Sequence, residues 1–201
     1  MITDCFLCNQ NVKLTYYDDI NFYAMLGIGP IIEGYSLIVT KKHIPSMLDL
    51  SDDLGKELTK VTSNIKKILL DKFGKCIITE HGRVPPCEIE ELDKHEAHCY
   101  HAHRLVFPIN IDLTDSFTRH NLKVYNFNSF SEALEKFRYK DEYLYFEKFD
   151  GTCIIAPTRN KIARQFFRYE IAEKIGKPEL ANWKRYPELK AVASTLDKLL
   201  K

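Results

Sequence analysis

The sequence predicts an α+β fold built on a mostly antiparallel sheet. Three observations lead there. Short apolar stretches of β-favouring residues come in adjacent runs, as at residues 15–27 and 142–156. The helical stretches between them are irregularly spaced and do not alternate with single strands as a parallel sheet requires. Residues 142–148 and 152–156 flank Asp150-Gly151, a dipeptide suited to a tight hairpin turn.

Taken in order, residues 15–27 suggest one or two strands, and Gly29-Pro30 and Glu33-Gly34 mark a turn. Residues 35–40 form a short apolar strand that ends at Lys41-Lys42-His43. Ser51 is a good N-cap for a helix whose apolar stripe runs Leu54, Leu58, Val61, Ile65, Ile68 and Leu69 and stops near Gly74. Residues 76–79 read as a central strand closed by Glu80-His81-Gly82. A polar, acidic loop over 83–97 follows, long enough inside a compact fold to suggest a function. Residues 101–109 are a strand, 114–120 a short helix, 122–127 a strand and 129–137 a helix. After the hairpin, a helix over 160–175 is stopped by Gly176 and Pro178, and a last helix covers 187–200. The expected organisation is one domain over residues 1–157 with a C-terminal helical extension, 158–201, packed on it.

Composition narrows the function. The 29 basic and 28 acidic residues of the 201 leave a formal charge of +1, which argues against a polyanion bound across a face and leaves room for a local basic pocket. Nucleic acid is therefore not an expected partner. No apolar stretch approaches the 18 residues of a membrane helix, and the first residues lack the pattern of a secretory signal. The expected compartment is the cytoplasm, where thiols stay reduced. Six cysteines there read as metal ligands, buried small hydrophobes or catalytic groups rather than bridges.

Four of the seven histidines, His95, His98, His101 and His103, crowd into nine positions, with Cys87 and Cys99 close by. Cys5 and Cys8 form a Cys-x-x-Cys pair near the start, a spacing that lets two sulfurs reach one tetrahedral ion. The same pair could serve redox chemistry, although nothing sets it at a strand-to-helix junction. His101 and His103, two apart on a predicted strand, share a face with Leu105, and Ala102 and Arg104 point the other way. Two histidines beside the apolar run Leu105-Val106-Phe107 are costly to bury without partners, which favours a site.

These motifs resemble the histidine triad (HIT) superfamily. The resemblance rests on Cys5-Phe-Leu-Cys8, on the segment from Gly34 through Lys41-Lys42 to His43-Ile-Pro, and on His101-Ala-His103-Arg-Leu105-Val-Phe-Pro108, which is similar to the signature His-x-His-x-His-x-x-Pro. Glu80-His81-Gly82 and the stretch from Gln165-Phe-Phe-Arg168 to Trp183 are similar to a longer bacterial subgroup.

The resemblance implies a HIT-like antiparallel sheet and nucleotide chemistry at an α-phosphate. It implies that Cys5, Cys8, His43 and His101 hold a structural zinc, a closed set with no open position for a substrate. It implies that His103 is the nucleophile and forms a nucleotidyl-histidine, with His101 bracing it. The substrate would be a nucleotide, such as a dinucleoside polyphosphate or a nucleotide conjugate, which is hydrolysed or whose nucleotidyl group is transferred. Lys41, Gln165, Arg168 and His81 are the candidate phosphate or substrate contacts; ordinary solvated surface is the competing reading of the lysine and of the helix face carrying Gln165 and Arg168. A homodimer is one assembly the resemblance suggests, with the C-terminal helices free to dock on a partner or on their own subunit.

One position departs from the family. Leu105 stands where hydrolases carry His and the galactose-1-phosphate uridylyltransferase type carries Gln. Leucine cannot hydrogen-bond a phosphate oxygen. The departure motivates one alternative, a nucleotide-binding protein with little or no turnover; a further one is a zinc-held interaction or RNA-processing accessory protein, which the near-neutral charge disfavours. His81 or His98 could supply the missing group. His98 could instead join Cys87, His95 and Cys99 in a second metal site.

Overall fold

The computed structural model describes residues 5–84, 101–137, 141–158 and 162–201. Cys87, His95, His98 and Cys99, and with them most of the predicted acidic loop, lie outside the described residues.

Among the described residues, eight strands form one sheet: β1 (Thr15–Asp18), β2 (Phe22–Leu26), β3 (Ser36–Thr40), β4 (Ile77–Gly82), β5 (His103–Phe107), β6 (Tyr125–Phe127), β7 (Tyr143–Glu147) and β8 (Cys153–Pro157). Their order is β1-β2-β3-β5-β4-β7-β8-β6, and every pair is antiparallel. The helices are α1 (Asp52–Phe73), α2 (Thr114–Arg119), α3 (Phe130–Lys136), α4 (Phe166–Lys174) and α5 (Leu189–Leu200). None of them is long and apolar enough to cross a membrane.

Local chemistry explains the firmest elements. The Ser51 hydroxyl accepts from the Leu54 amide, and Asp52 and Asp53 in the first turn suit the positive end of the helix dipole. Gly74 ends α1 at φ 97°, a conformation that other residues rarely adopt. The β7–β8 turn is closed by Asp150, whose Oδ1 accepts from the Thr152 amide at 2.9 Å and hydroxyl at 2.7 Å, with Gly151 at φ 91°. Alternation then sorts the sheet's two faces. Phe22, Ile38, Ala102, Val106, Tyr143 and Ile155 point to the face covered by α1 and α3, where Leu58, Val61, Ile65 and Leu69 are buried. Burial of each such side chain contributes about 1.5–3 kcal/mol. Phe107, Leu144, Phe146 and Ala156 meet Phe166, Phe167 and Ile171 on the other face.

Three of the boundaries that differ from the expected ones do so for a reason of partnership. β4 continues through His81 and Gly82, which pair with Leu144 and Tyr143 of β7. β5 begins at His103, because the Ala102 amide donates to Ile44 and the His101 carbonyl is taken by a side chain. α4 begins at Phe166 and not near 160, since the Arg164 carbonyl accepts from His81.

The C-terminal segment is tied to the turn between β2 and β3. The Gly29 amide donates to the Pro187 carbonyl (2.9 Å), the Gly34 amide to the Thr195 hydroxyl (3.2 Å), and Lys198 pairs with Glu33 (2.7 Å).

Candidate functional site

Cys5, Cys8, His43 and His101 converge, and their donor atoms all lie within 4.8 Å of one another. The chain segment before β1 brings the two cysteines, the loop after β3 brings His43, and the residues just before β5 bring His101. His101 Nδ1 lies 3.4 Å from Cys5 Sγ and 3.5 Å from Cys8 Sγ, and His43 Nδ1 lies 3.2 Å from Cys8 Sγ. On its other side His101 Nε2 lies 2.5 Å from the Thr40 carbonyl. A carbonyl only accepts, so Nε2 carries the proton and Nδ1 offers its lone pair to the sulfurs. Burial pushes the His101 imidazole down to about 4, which keeps it a neutral donor. This cluster could hold a metal ion.

Cys76 and Cys153 are buried hydrophobes, and burial pushes both thiols up to about 12.

His103 and Leu105 face a cavity of about 730 Å³ on the side of the sheet away from α1. His103 Nδ1 donates to the His101 carbonyl at 2.8 Å. That bond assigns the proton to Nδ1 and leaves the Nε2 lone pair as the ring's nucleophilic atom. Burial holds the imidazole below its ordinary pKa, against the opposing pull of the His101 carbonyl and Glu80. His103 is therefore neutral at pH 7.

The strand register brings in a second histidine. β4 and β5 pair Ile77 with Phe107 and Thr79 with Leu105. Continuing that register two residues sets His81 opposite His103, and His81 lines the same cavity. His81 Nδ1 donates to the Arg164 carbonyl (3.1 Å), and Nε2 lies 2.6 Å from the buried Glu142 carboxylate. Both ring nitrogens face acceptors at the cavity wall.

The other candidates divide. Gln165 and Arg168 line the cavity but are engaged with the protein. The Gln165 amide is oriented by its neighbours, with Nε2 donating to Ala181 and Oε1 accepting from Trp183 Nε1. Arg168 donates to the carbonyls of Gly29, Leu180 and Ala181. Lys41 is not among the residues lining the cavity; it pairs with Asp18 at 2.6 Å. Arg104 points to the opposite face, as alternation predicts. It is fully buried over the rings of Phe130 and Tyr145 and lies within 4 Å of Glu80 and Glu147.

Sequence reasoning missed Glu142, Thr40 and the cavity walls formed by Phe6 and Tyr35. Glu142 meets His81 only through strand pairing 61 residues apart, which no local spacing signals.

The HIT domain family model matches residues 9–118. Several solved structures are similar over about half of the chain. A hypothetical histidine triad nucleotide-binding protein from Sulfolobus tokodaii is 22% identical, with 52% of this chain and 68% of that chain covered and a TM-score of 0.40. A HIT family hydrolase from Clostridium thermocellum is 17% identical, with 53% and 91% covered and a TM-score of 0.37. A zinc-bound histidine triad family protein from Mycobacterium smegmatis is 19% identical, with 52% and 73% covered and a TM-score of 0.40. Likenesses that distant carry no argument about chemistry. No curated protein matches the chain.

Proposed function

This chain belongs to the histidine triad family, and from that premise we propose that it hydrolyses a nucleotide, or transfers its nucleotidyl group, at the α-phosphate through His103. The observation that carries the reading is the 2.8 Å bond from His103 Nδ1 to the His101 carbonyl, which leaves Nε2 free to attack inside a cavity of nucleotide size. Nε2 forms a bond to the α-phosphorus as the bond from phosphorus to the leaving oxygen breaks, and the leaving oxygen takes the electron pair. Water or an acceptor hydroxyl then attacks the same phosphorus, and the N–P bond breaks back to neutral His103. His81, which lines the cavity beside His103, is the group we assign to the phosphate in place of the missing third histidine; it reaches a phosphate oxygen by exchanging the Nε2 contact with Glu142 for it. Dinucleoside polyphosphates and nucleotide conjugates are the substrate classes to test.

The cluster of two sulfurs and two imidazoles suits zinc. A tetrahedral zinc holds S and N ligands about 3.5 Å apart, and the three sulfur–nitrogen contacts measure 3.2–3.5 Å. Bound there, zinc would supply structural cross-linking and no catalytic position. A reducing compartment such as the cytoplasm fits this reading, because Cys5 must be a thiolate. A homodimer remains a proposal that sedimentation checks.

Leu105 motivates a second reading, nucleotide binding with weak or no turnover. The test is α-phosphate cleavage across a nucleotide panel by the reduced, zinc-loaded protein and by His103→Ala, with folding checked by circular dichroism. We expect cleavage by the first and none by the second. Cleavage that survives in His103→Ala contradicts the reading. Binding without cleavage in both supports the alternative.

A further inference from the structure

We propose that Trp183 is a stacking platform for the planar ring of the ligand, so that ring recognition lies in the C-terminal segment beyond the family-matched residues 9–118. This rests on the proposed nucleotide reading and adds a subsite to it.

Four observations support the platform. Trp183 lines the cavity that holds His103 and remains 37% exposed, with the Lys184 ammonium 5.9 Å from its ring centroid as a neighbour that a stacking ring would displace or share. Its one polar atom is already satisfied, since Nε1 donates to Gln165 Oε1 at 3.1 Å. The ring therefore needs nothing from a ligand except a flat apolar partner. Its backbone is pinned: a Cβ at Gly29 would lie 2.4 Å from the Trp183 Cβ, so only glycine permits this approach. Finally, Arg168, 4% exposed, spends its guanidinium on the Leu180 and Ala181 carbonyls just before Trp183 and on the Gly29 carbonyl across from it. A buried cation used to fix the segment that carries a half-exposed tryptophan is the signature of a preorganised binding surface. Stacking on a held aromatic side chain tolerates any base, so the chemical class is a nucleoside phosphate with a planar base.

Trp183 is the only tryptophan in the chain, so intrinsic emission reports this residue alone. The experiment titrates the full chain with AMP, adenosine and ribose 5-phosphate, with emission and calorimetry read in parallel. AMP and adenosine should change Trp183 emission over the range in which calorimetry shows binding, and ribose 5-phosphate should not. Trp183→Leu should weaken AMP binding roughly tenfold or more and leave ribose 5-phosphate binding unchanged, and Trp183→Phe should retain AMP. Calorimetric binding of AMP with unchanged emission overturns the platform and leaves the nucleotide reading standing. Equal loss of AMP and ribose 5-phosphate in both variants also overturns it, because it marks a structural role. No binding of AMP or adenosine overturns both. If Trp183→Leu fails to fold, the wild-type emission and the Phe variant decide.

Discussion

His101 orients His103 with its backbone and contributes to the four-residue cluster with its ring: its carbonyl accepts from His103 Nδ1 at 2.8 Å, and its own Nδ1 faces the sulfurs of Cys5 and Cys8. One residue thus joins two sites. The cluster fixes where the His101 carbonyl lies, and the carbonyl fixes which nitrogen of His103 is protonated.

Zinc should follow from reduction. Reduced protein is expected to bind close to one zinc per chain by elemental analysis, and protein kept oxidised much less, since oxidised cysteines are not thiolate ligands. Cys8→Ser should lose the metal even when reduced. Thiolate and imidazole ligands compete with protons, so acidification should release it. Equal zinc content in the oxidised and reduced forms would contradict the assignment of Cys5.

Leu105 offers no hydrogen bond to the cavity it shares with His103. If a missing hydrogen bond limits the rate, Leu105→His should raise turnover on a nucleotide substrate by about tenfold or more, the inverse of losing one donor from an anion site. A single-turnover rate on AMP conjugates measures this. An unchanged rate would show that a hydrogen bond at this position does not limit turnover.

Arg104 is expected to matter for stability. Arg104→Ala would take the buried guanidinium from Glu80 and Glu147, 3.6 and 3.8 Å away, leaving Glu80 with only the Met47 amide and the Tyr143 hydroxyl and Glu147 with Lys66 and Tyr145. Removing one partner of a buried ion pair costs about 3–5 kcal/mol. Urea unfolding reads the loss directly, and a loss near zero would show that the cluster is relaxed by solvent.

Asp112 gives a pH signature. Partial burial works against its charge, but the Thr114 hydroxyl, Lys148 and the Thr114 amide outweigh it and hold the carboxyl at about 2, against an ordinary value of 3.8. A depressed carboxylate contributes stability that is fully present above 3.8 and lost as pH falls towards 2. Asp112→Asn should therefore melt below the wild type at pH 7, with the gap closing as pH falls through that window. A gap that persists at pH 2 would show that the effect is not electrostatic.

Features with local signals were the most legible in the sequence. Ser51 and Gly74 bound α1, Asp150-Gly151 closes the hairpin, and the alternation at 101–105 sends Arg104 away from His103. The ligand set Cys5, Cys8, His43 and His101 also comes together in space. What local pattern does not encode is cross-strand partnership and the spending of charged groups. β4 runs past Thr79 because β7 offers it partners, and this sets His81 opposite His103. Lys41 faces Asp18, and Arg168 is consumed by three carbonyls, although the family resemblance makes both candidate phosphate contacts. The energy of those contacts depends on residues far along the chain.

The central claim is that Nε2 of His103 attacks phosphorus. Rapid acid-free quenching of the reduced, zinc-loaded protein with a nucleotide substrate, followed by peptide mass mapping, tests it most directly. The account predicts a nucleotidyl adduct on the peptide containing His103, absent in His103→Ala. Steady α-phosphate cleavage with no adduct on His103, or with an adduct on another residue, would contradict it.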